Sequence, residues 1–314
     1  MELRVLKYFL AIAREKNITK AAQVLHITQP TLSRQLMELE EELGKKLFIR
    51  GKRKLILTDE GILLRKRAEE ILELVEKSER EIKVSDEIIN GDIFIGGGES
   101  ETMRIIAQIS KKLQKEYPFI CYHLFSGNAD DVIEKLDKGL LDFGILIAPV
   151  DISKYEYIKF SQTDIWGLLM RKDSPLAKNK VIRPQNLLHI PLICSRQTLV
   201  REDISKWIGK DINNLNIVSS YNLIYNASLM VEERVGYALC LDKLINTTGD
   251  NILCFRPLEP KLEVDIYIVW KKSPIFSKTC KKFLEKLQME LIEKSWFIQE
   301  NQNKFSRYCS DFLE

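Results

Sequence analysis

Apolar residues recur at helical spacing from the start of the chain. Leu3, Leu6, Leu10 and Ala13 form one stripe, and Leu32, Leu36, Leu39 and Leu43 form another at i, i+4, i+7 and i+11. The stretch Asn17–Arg34, NITKAAQVLHITQPTLSR, predicts two short helices joined by a tight turn. Thr19 is the expected N-cap of the first, which ends near His26, and the small Ala21 and Ala22 allow close helix crossing. Thr28 is the expected cap of the second, with Pro30 in the first turn, where its missing N–H costs nothing. The Leu32 stripe then packs on Leu25 and on the opening helix. After Gly44, the runs LFI and LIL predict a β-hairpin. Thr58 to about Ile89 reads as one long helix, with Thr58 as cap, Asp59 and Glu60 in the first turn and no internal proline. Ile62, Leu64, Ala68, Ile71, Leu72, Val75, Ser78 and Ile82 repeat along it at threes and fours. From Asp92 onward, apolar runs at Ile93–Ile95, Cys121–Phe125, Phe143–Ile147, Trp166–Met170, Leu192–Cys194, Tyr237–Leu241 and Ile266–Trp270 alternate with helical stretches. That alternation predicts an α/β region with open sheets.

With the inner faces assigned, Gln29, Pro30, Thr31, Ser33 and Arg34 remain on the outer face of the second short helix. A helix-turn-helix places such residues at base edges in the major groove, where Arg pairs with guanine, Gln with adenine, and Thr touches a thymine methyl. Taken alone, the same face also suits a solvated helix. Arg50, Lys52, Arg53 and Lys54 tip the hairpin, and point charges of this kind suit phosphate oxygens rather than base reading. Up to Leu57 the chain carries twelve Lys/Arg against six Asp/Glu, whereas the whole carries 48 against 45. A net of +6 therefore sits at one end and −3 over the remainder, which points to nucleic acid at the basic end.

Ala21, Ala22, Leu25, Ile27, Gln29, Pro30, Leu32, Ser33, Leu39, Glu40, Leu43, Gly44, Leu47, Phe48, Arg50, Leu57, Thr58 and Gly61 resemble, without a gap, the N-terminal signature of LysR-type transcriptional regulators. The resemblance implies a winged helix-turn-helix DNA-binding domain at 1–58, with Thr28, Gln29, Pro30, Thr31, Ser33 and Arg34 at the major groove and Arg50, Lys52, Arg53 and Lys54 along the backbone. It implies a linker and dimerisation helix at 59–89; from the pattern alone, that helix buries its stripe against a second copy or against its own C-terminal domain. It further implies a two-lobed α/β effector-binding domain at 90–314, similar to type 2 periplasmic binding proteins, with lobe I at about 90–162 and 268–300 and lobe II at about 163–267. The implied function is activation or repression controlled by a small-molecule effector, with double-stranded DNA, RNA polymerase and further copies of the chain, as homodimer or homotetramer, for partners.

Ligands of open α/β sheets bind beyond the carboxyl ends of strands, at helix N-termini. Four stretches fit: Gly98 to Thr102, including Ser100 and Thr102, after the first strand; Ser126, Gly127 and Asn128 after CYHLF; Ser195, Arg196, Gln197 and Thr198 after LIC; and Asn222 in SSYNLIYNAS. Each hydroxyl equally suits a helix cap. Two residues depart from the family pattern. Glu99 and Glu101 flank Ser100, either offsetting the helix dipole or selecting a cationic or neutral ligand, so effector charge stays open. Arg234 stands where the family more often has glycine, as a solvated loop residue or one reaching the cleft.

No enzyme is expected. IFIGGGESE carries Glu101 where G-x-G-x-x-G needs its last glycine, and no G-x-x-x-x-G-K-[ST] occurs. His26, His123 and His189 are scattered and form no H-E-x-x-H or triad signature, so no catalytic residue, metal ligand or cofactor is assigned. Six cysteines lack C-x-x-C spacing and read as reduced, mostly buried thiols. Cys194, beside Ser195 and Arg196, keeps a cysteine-based redox-responsive regulator as the alternative within this fold. A plain small-molecule binding protein is a more distant reading. No run approaches about 18 apolar residues, and the N-terminus opens directly into a helix, so a cytoplasmic protein without membrane association is expected.

Overall fold

The computed structural model describes residues 1–51, 54–82, 89–200 and 202–291. The chain divides into two compact units, Met1–Lys83 and Val84–Glu314.

The first unit runs α1 (Leu3–Glu15), α2 (Ile18–Val24), α3 (Gln29–Leu43), β1 (Phe48–Arg50), β2 (Leu55–Leu57) and α4 (Asp59–Ile82). Leu6, Phe9 and Ile12 of α1 bury against Ala21 and Ala22 of α2 and against Leu32, Leu36 and Leu39 of α3. Ala68 and Leu72 of α4 close the same core, so the long helix contributes one face to its own unit. The cap of α2 is Asn17 rather than Thr19: its side chain accepts from the Lys20 N–H at 3.0 Å, which places Thr19 already inside the first turn. The helix stops at Val24, and His26, at φ 56°, turns the chain instead of ending the helix. Thr28 caps α3 through the Thr31 N–H, with Pro30 in the first turn. Leu43 leaves the expected stripe and is exposed, because Gly44, at φ 62°, ends the helix just beyond it.

β1 and β2 pair antiparallel, Phe48 with Leu57 and Arg50 with Leu55, and Gly51 N–H bonds Lys54 carbonyl at 2.9 Å across the turn. The Thr58 hydroxyl accepts from Gly61 N–H at 3.0 Å, capping α4. Ile62 and Ile82, expected on the inner stripe, are exposed. The expected continuation of that helix through 83–88 lies outside the described residues, as do Lys52 and Arg53 of the wing.

The second unit holds two sheets. The first combines β3 (Gly91–Gly97), β4 (Ile120–Ser126), β5 (Phe143–Ile147), β6 (Tyr155–Lys159) and a returning strand at Ile266–Lys271. Helices α5 (Met103–Glu116) and α6 (Ala129–Asp137) cross between its parallel strands. The chain then enters β7 (Asp164–Arg171) and builds the second sheet with α7 (Pro184–Leu187), β8 (Leu192–Ser195), α8 (Glu202–Ile208), β9 (Ile217–Tyr221), α9 (Ile224–Glu232), β10 (Tyr237–Leu241), β11 (Leu253–Pro257) and β12 (Glu263–Val264). β13, the Ile266–Lys271 strand, goes back to the first sheet, pairing antiparallel with β5 and β6.

Strand order is β4-β3-β5-β13-β6 in one lobe and β11-β7-β10-β8-β9 in the other, with β12 on β7. The two crossings lie side by side: Val264 pairs with Asp164, and Phe160 N–H bonds Ile266 carbonyl at 3.0 Å. A helix over 278–291 returns Phe283 and Leu287 to the first lobe, where Phe283 meets Phe143 with ring centroids 5.0 Å apart. One continuous buried cluster takes in Ile95, Phe143 and Ile268 from the first lobe and Leu168, Cys194 and Leu239 from the second.

Candidate DNA interface and effector cleft

The outer face of α3 is polar because its inner face is fully used. Leu32 is wholly buried, while Thr28, Gln29, Pro30, Thr31 and Arg34 are exposed and Ser33 is half-buried. Thr28 and Thr31 hydroxyls share a hydrogen bond at 2.7 Å, so both are oriented by the cap itself. The Arg34 guanidinium lies along the helix, 3.7 Å from the Glu38 carboxylate. An exposed pair of this kind is worth little and is readily exchanged for another acceptor. In the wing, Lys54 is exposed beside the hairpin turn.

Glu40 fixes the wing to this helix. It is buried on α3, and its Oε1 accepts from Leu47 N–H at 2.9 Å and from Phe48 N–H at 3.3 Å. Its Oε2 accepts from Lys46 Nζ at 2.7 Å. A carboxylate is thus used to satisfy two backbone donors where the chain leaves α3 and starts β1. Gly61 seals the other side, since a Cβ there would stand 2.2 Å from the Leu47 carbonyl.

In the second unit, the loops after β3, β4, β8 and β9 converge on one cleft between the lobes. Gly98, Glu99, Gly127, Asn128 and Ile147 line it from the first lobe. Trp166, Ser195, Gln197, Thr198, Tyr221, Asn222, Ile224, Leu241 and Leu244 line it from the second. Gly127, Asn128, Ser195 and Asn222 are therefore brought together as the sequence suggested.

Ser100, Thr102 and Arg196 are not on that wall. Thr102 is buried at the start of α5, and Ser100 accepts from its N–H at 3.0 Å. The Ser100 hydroxyl also bonds Asp164 at the lobe crossing, where burial raises the Asp164 carboxyl. Arg196 is exposed, with its backbone N–H on Tyr221 carbonyl at 2.9 Å. Several cleft polar groups also serve as caps. Asn128 accepts from Asp131 N–H at 2.9 Å, and Ser195 accepts from Thr198 N–H at 3.0 Å while its hydroxyl pairs with that of Thr198 at 2.5 Å.

Glu99 lies in the loop at 98–102 and reaches the cleft wall that Ser100 and Thr102 do not. Its carboxylate crosses the cleft and accepts from Ile224 N–H at 2.5 Å, the first amide of α9. Burial raises its carboxyl above the usual range, and the Ile224 amide partly offsets this. The anion position at that helix start is filled by the chain itself.

Comparison with known proteins agrees with both halves of this geometry. Residues 3–62 match the model of the bacterial regulatory helix-turn-helix protein, lysR family, and residues 89–291 match the LysR substrate binding domain. The chain belongs to the LysR family of transcriptional regulators. It is 32% identical to an uncharacterized HTH-type transcriptional regulator, YvbU, of Bacillus subtilis over 91% of this chain and 97% of that one. Identity is 27% with the Hca operon transcriptional activator HcaR of Escherichia coli, over 87% of this chain and 92% of that one. The fold matches full-length CbnR complexed with its target DNA at a TM-score of 0.74, with 18% identity, over 92% of this chain and 99% of that one.

This LysR-type regulator is thus a DNA-binding transcriptional regulator with a separate effector-binding domain, in a family of regulators rather than enzymes. Among the described residues no helix is long and apolar enough to cross a membrane. Arg234 of the regulator is engaged outside the cleft, its Nη2 lying 2.6 Å from Asp173 Oδ2. Arg171 and Arg234 hold the Asp173 carboxyl down at about 2. Among the thiols, Cys194 is buried in β8, and burial pushes it up to about 12, which keeps it protonated and a poor nucleophile at neutral pH. Cys240, on the neighbouring strand, is raised by burial as well.

Proposed function

We propose that α3 lies in the major groove with Gln29, Pro30, Thr31, Ser33 and Arg34 at base edges and Thr28 at the rim, while Arg50, Lys52, Arg53 and Lys54 follow the phosphates. The carrying observation is a helix whose N-terminal turn is polar and exposed while its opposite face is sealed in a core. On an operator recovered by selection from random duplexes, Arg34→Ala should cost about 1 to 3 kcal/mol of specific binding. Lys54→Ala should weaken all sequences alike and lower the salt slope by about one. Equal losses on operator and random DNA for Arg34→Ala would remove the base-reading role.

Two heads are needed to read a full site, since one supplies only a half-site. α4 supports self-association, because Ile62, Leu63, Leu74 and Ile82 are large apolar residues left exposed on it. Light scattering should read at least twice the mass of one 36.6 kDa chain. A single-chain mass at micromolar concentration would end this reading. Assembly to a tetramer, contact with RNA polymerase and action in the cytoplasm follow from the family's role on bacterial promoters.

The effector occupies the cleft between the lobes, without cofactor or chemistry, and it carries an ammonium or another strong hydrogen-bond donor. Among the described lining residues Glu99 is the one charged side chain, and the helix start that would receive an anion already holds its carboxylate. A thermal-shift screen of small amines against matched carboxylates tests this. A ligand at 100 times its dissociation constant adds about 2.7 kcal/mol of stability.

A further inference from the structure

A second polar cluster lies in the first lobe, on the strands that lead to the cleft. β3 and β4 are parallel, with Asp92 opposite Cys121 and Phe94 opposite His123. Side chains alternate along a strand, so these four residues share one face, while Ile93 and Ile95 point into the core on the other. The donor atoms of Asp92, Cys121 and His123 all lie within 4.8 Å of one another. His123 Nε2 stands 3.1 Å from Asp92 Oδ1, yet this nitrogen is buried and has no hydrogen bond of acceptable geometry. Phe94 stacks on the imidazole at 4.6 Å and 13°, which fixes the ring plane. Cys121 is exposed, on the edge strand of its sheet.

We propose that Asp92, Cys121 and His123 bind one divalent transition-metal ion of the zinc class. Sulfur, imidazole nitrogen and carboxylate oxygen form a borderline donor set that suits zinc or cobalt and disfavours magnesium and calcium. Bonds of about 2.0 to 2.3 Å at tetrahedral angles put donors about 3.3 to 3.8 Å apart. Side-chain rotation alone closes the remaining gap, because the strand register already sets the three residues side by side. On binding, the Cys121 thiol gives its proton to solvent, and the thiolate and carboxylate together balance the ion's charge. Three protein donors leave a fourth position for water. The ion ties the edge strand β4 to β3 at the ends remote from Glu99 and Asn128.

Cobalt tests the site. The full chain, freed of metal and kept reduced with a phosphine, should take up one equivalent of Co²⁺. It should show a thiolate-to-cobalt charge-transfer band together with the intense visible bands of tetrahedral cobalt, and one equivalent of Zn²⁺ should bleach both. Cys121→Ser should abolish the charge-transfer band without changing the melting temperature of the metal-free chain. His123→Gln and Asp92→Asn should each weaken binding by about tenfold or more. No charge-transfer band in the parent chain, or the same band in Cys121→Ser, would overturn the site.

Discussion

Glu40→Ala is expected to destabilise the DNA-binding unit by about 3 kcal/mol and to abolish operator binding. The carboxylate is buried and accepts from the Leu47 and Phe48 amides and from Lys46. Alanine leaves those two amides without acceptors where water reaches them poorly, at roughly 1 to 3 kcal/mol each before relaxation. Phe48 anchors the wing through its ring, 5.4 Å from that of Phe9, so a displaced β1 also opens the core of the unit. Hydrogen exchange read by mass spectrometry on peptides from 1–83 should show lost protection across β1 and β2, with the peptides of the second unit unchanged. Glu40→Gln keeps an acceptor oxygen and should recover most of the loss. Parent-like protection in Glu40→Ala would show that other groups hold the wing.

Glu99→Ala is expected to weaken an amine effector about 100-fold, near 3 kcal/mol, while a carboxylate at the same cleft gains affinity. Removing the carboxylate frees the Ile224 amide at the start of α9, turning a filled anion position into an open one. pH gives a second readout. The folded carboxyl of Glu99 is raised, so lowering pH protonates it sooner than an ordinary glutamate, and amine affinity should fall there and level off above it. Its own contribution to stability runs the opposite way: it is present at low pH and lost as pH rises through the raised value. Glu99→Gln should flatten the affinity profile. Calorimetric titration across that range decides the matter, and an amine profile unchanged in Glu99→Gln would detach Glu99 from the ligand.

The helix-turn-helix was readable because its signals are local. Thr28 caps α3 from three residues away, Pro30 fits only a first turn, and the spacing of Leu32, Leu36 and Leu39 fixes the buried face. The cap of α2 was less readable: Thr19 suits the position by residue type, and the extended backbone at Asn17 sets the cap two residues earlier. Glu40 stands in the run ELEEEL, and its burial depends on where β1 turns back, which no local spacing records.

The cleft was legible as a set of strand ends but not as a wall. Asn128 and Ser195 follow apolar strands and could be placed, whereas the facing of Glu99 and Ile224 joins residues 125 apart in sequence and needs both lobes folded. β6, β9 and β11 carry no long apolar run, because YEYIK, IVSSY and LCFRP mix polar and apolar residues at strand edges. The chemical character of the cleft was therefore the least readable part, being set by tertiary contacts between loops that carry no motif of their own.

The buried cluster that runs without a break from one lobe into the other sets how far the lobes can part. Two sheets joined only by strands at Asp164 and Val264 would swing freely, but here each degree of opening exposes apolar surface at about 25 cal/mol per Å². An effector domain built this way is expected to resist opening as a stiff spring does, rather than to hang open as a clamshell. Any rotation that a ligand drives is expected to be small, because it works against that cost. Selectivity under that regime comes from which molecule fits the nearly closed gap without forcing it.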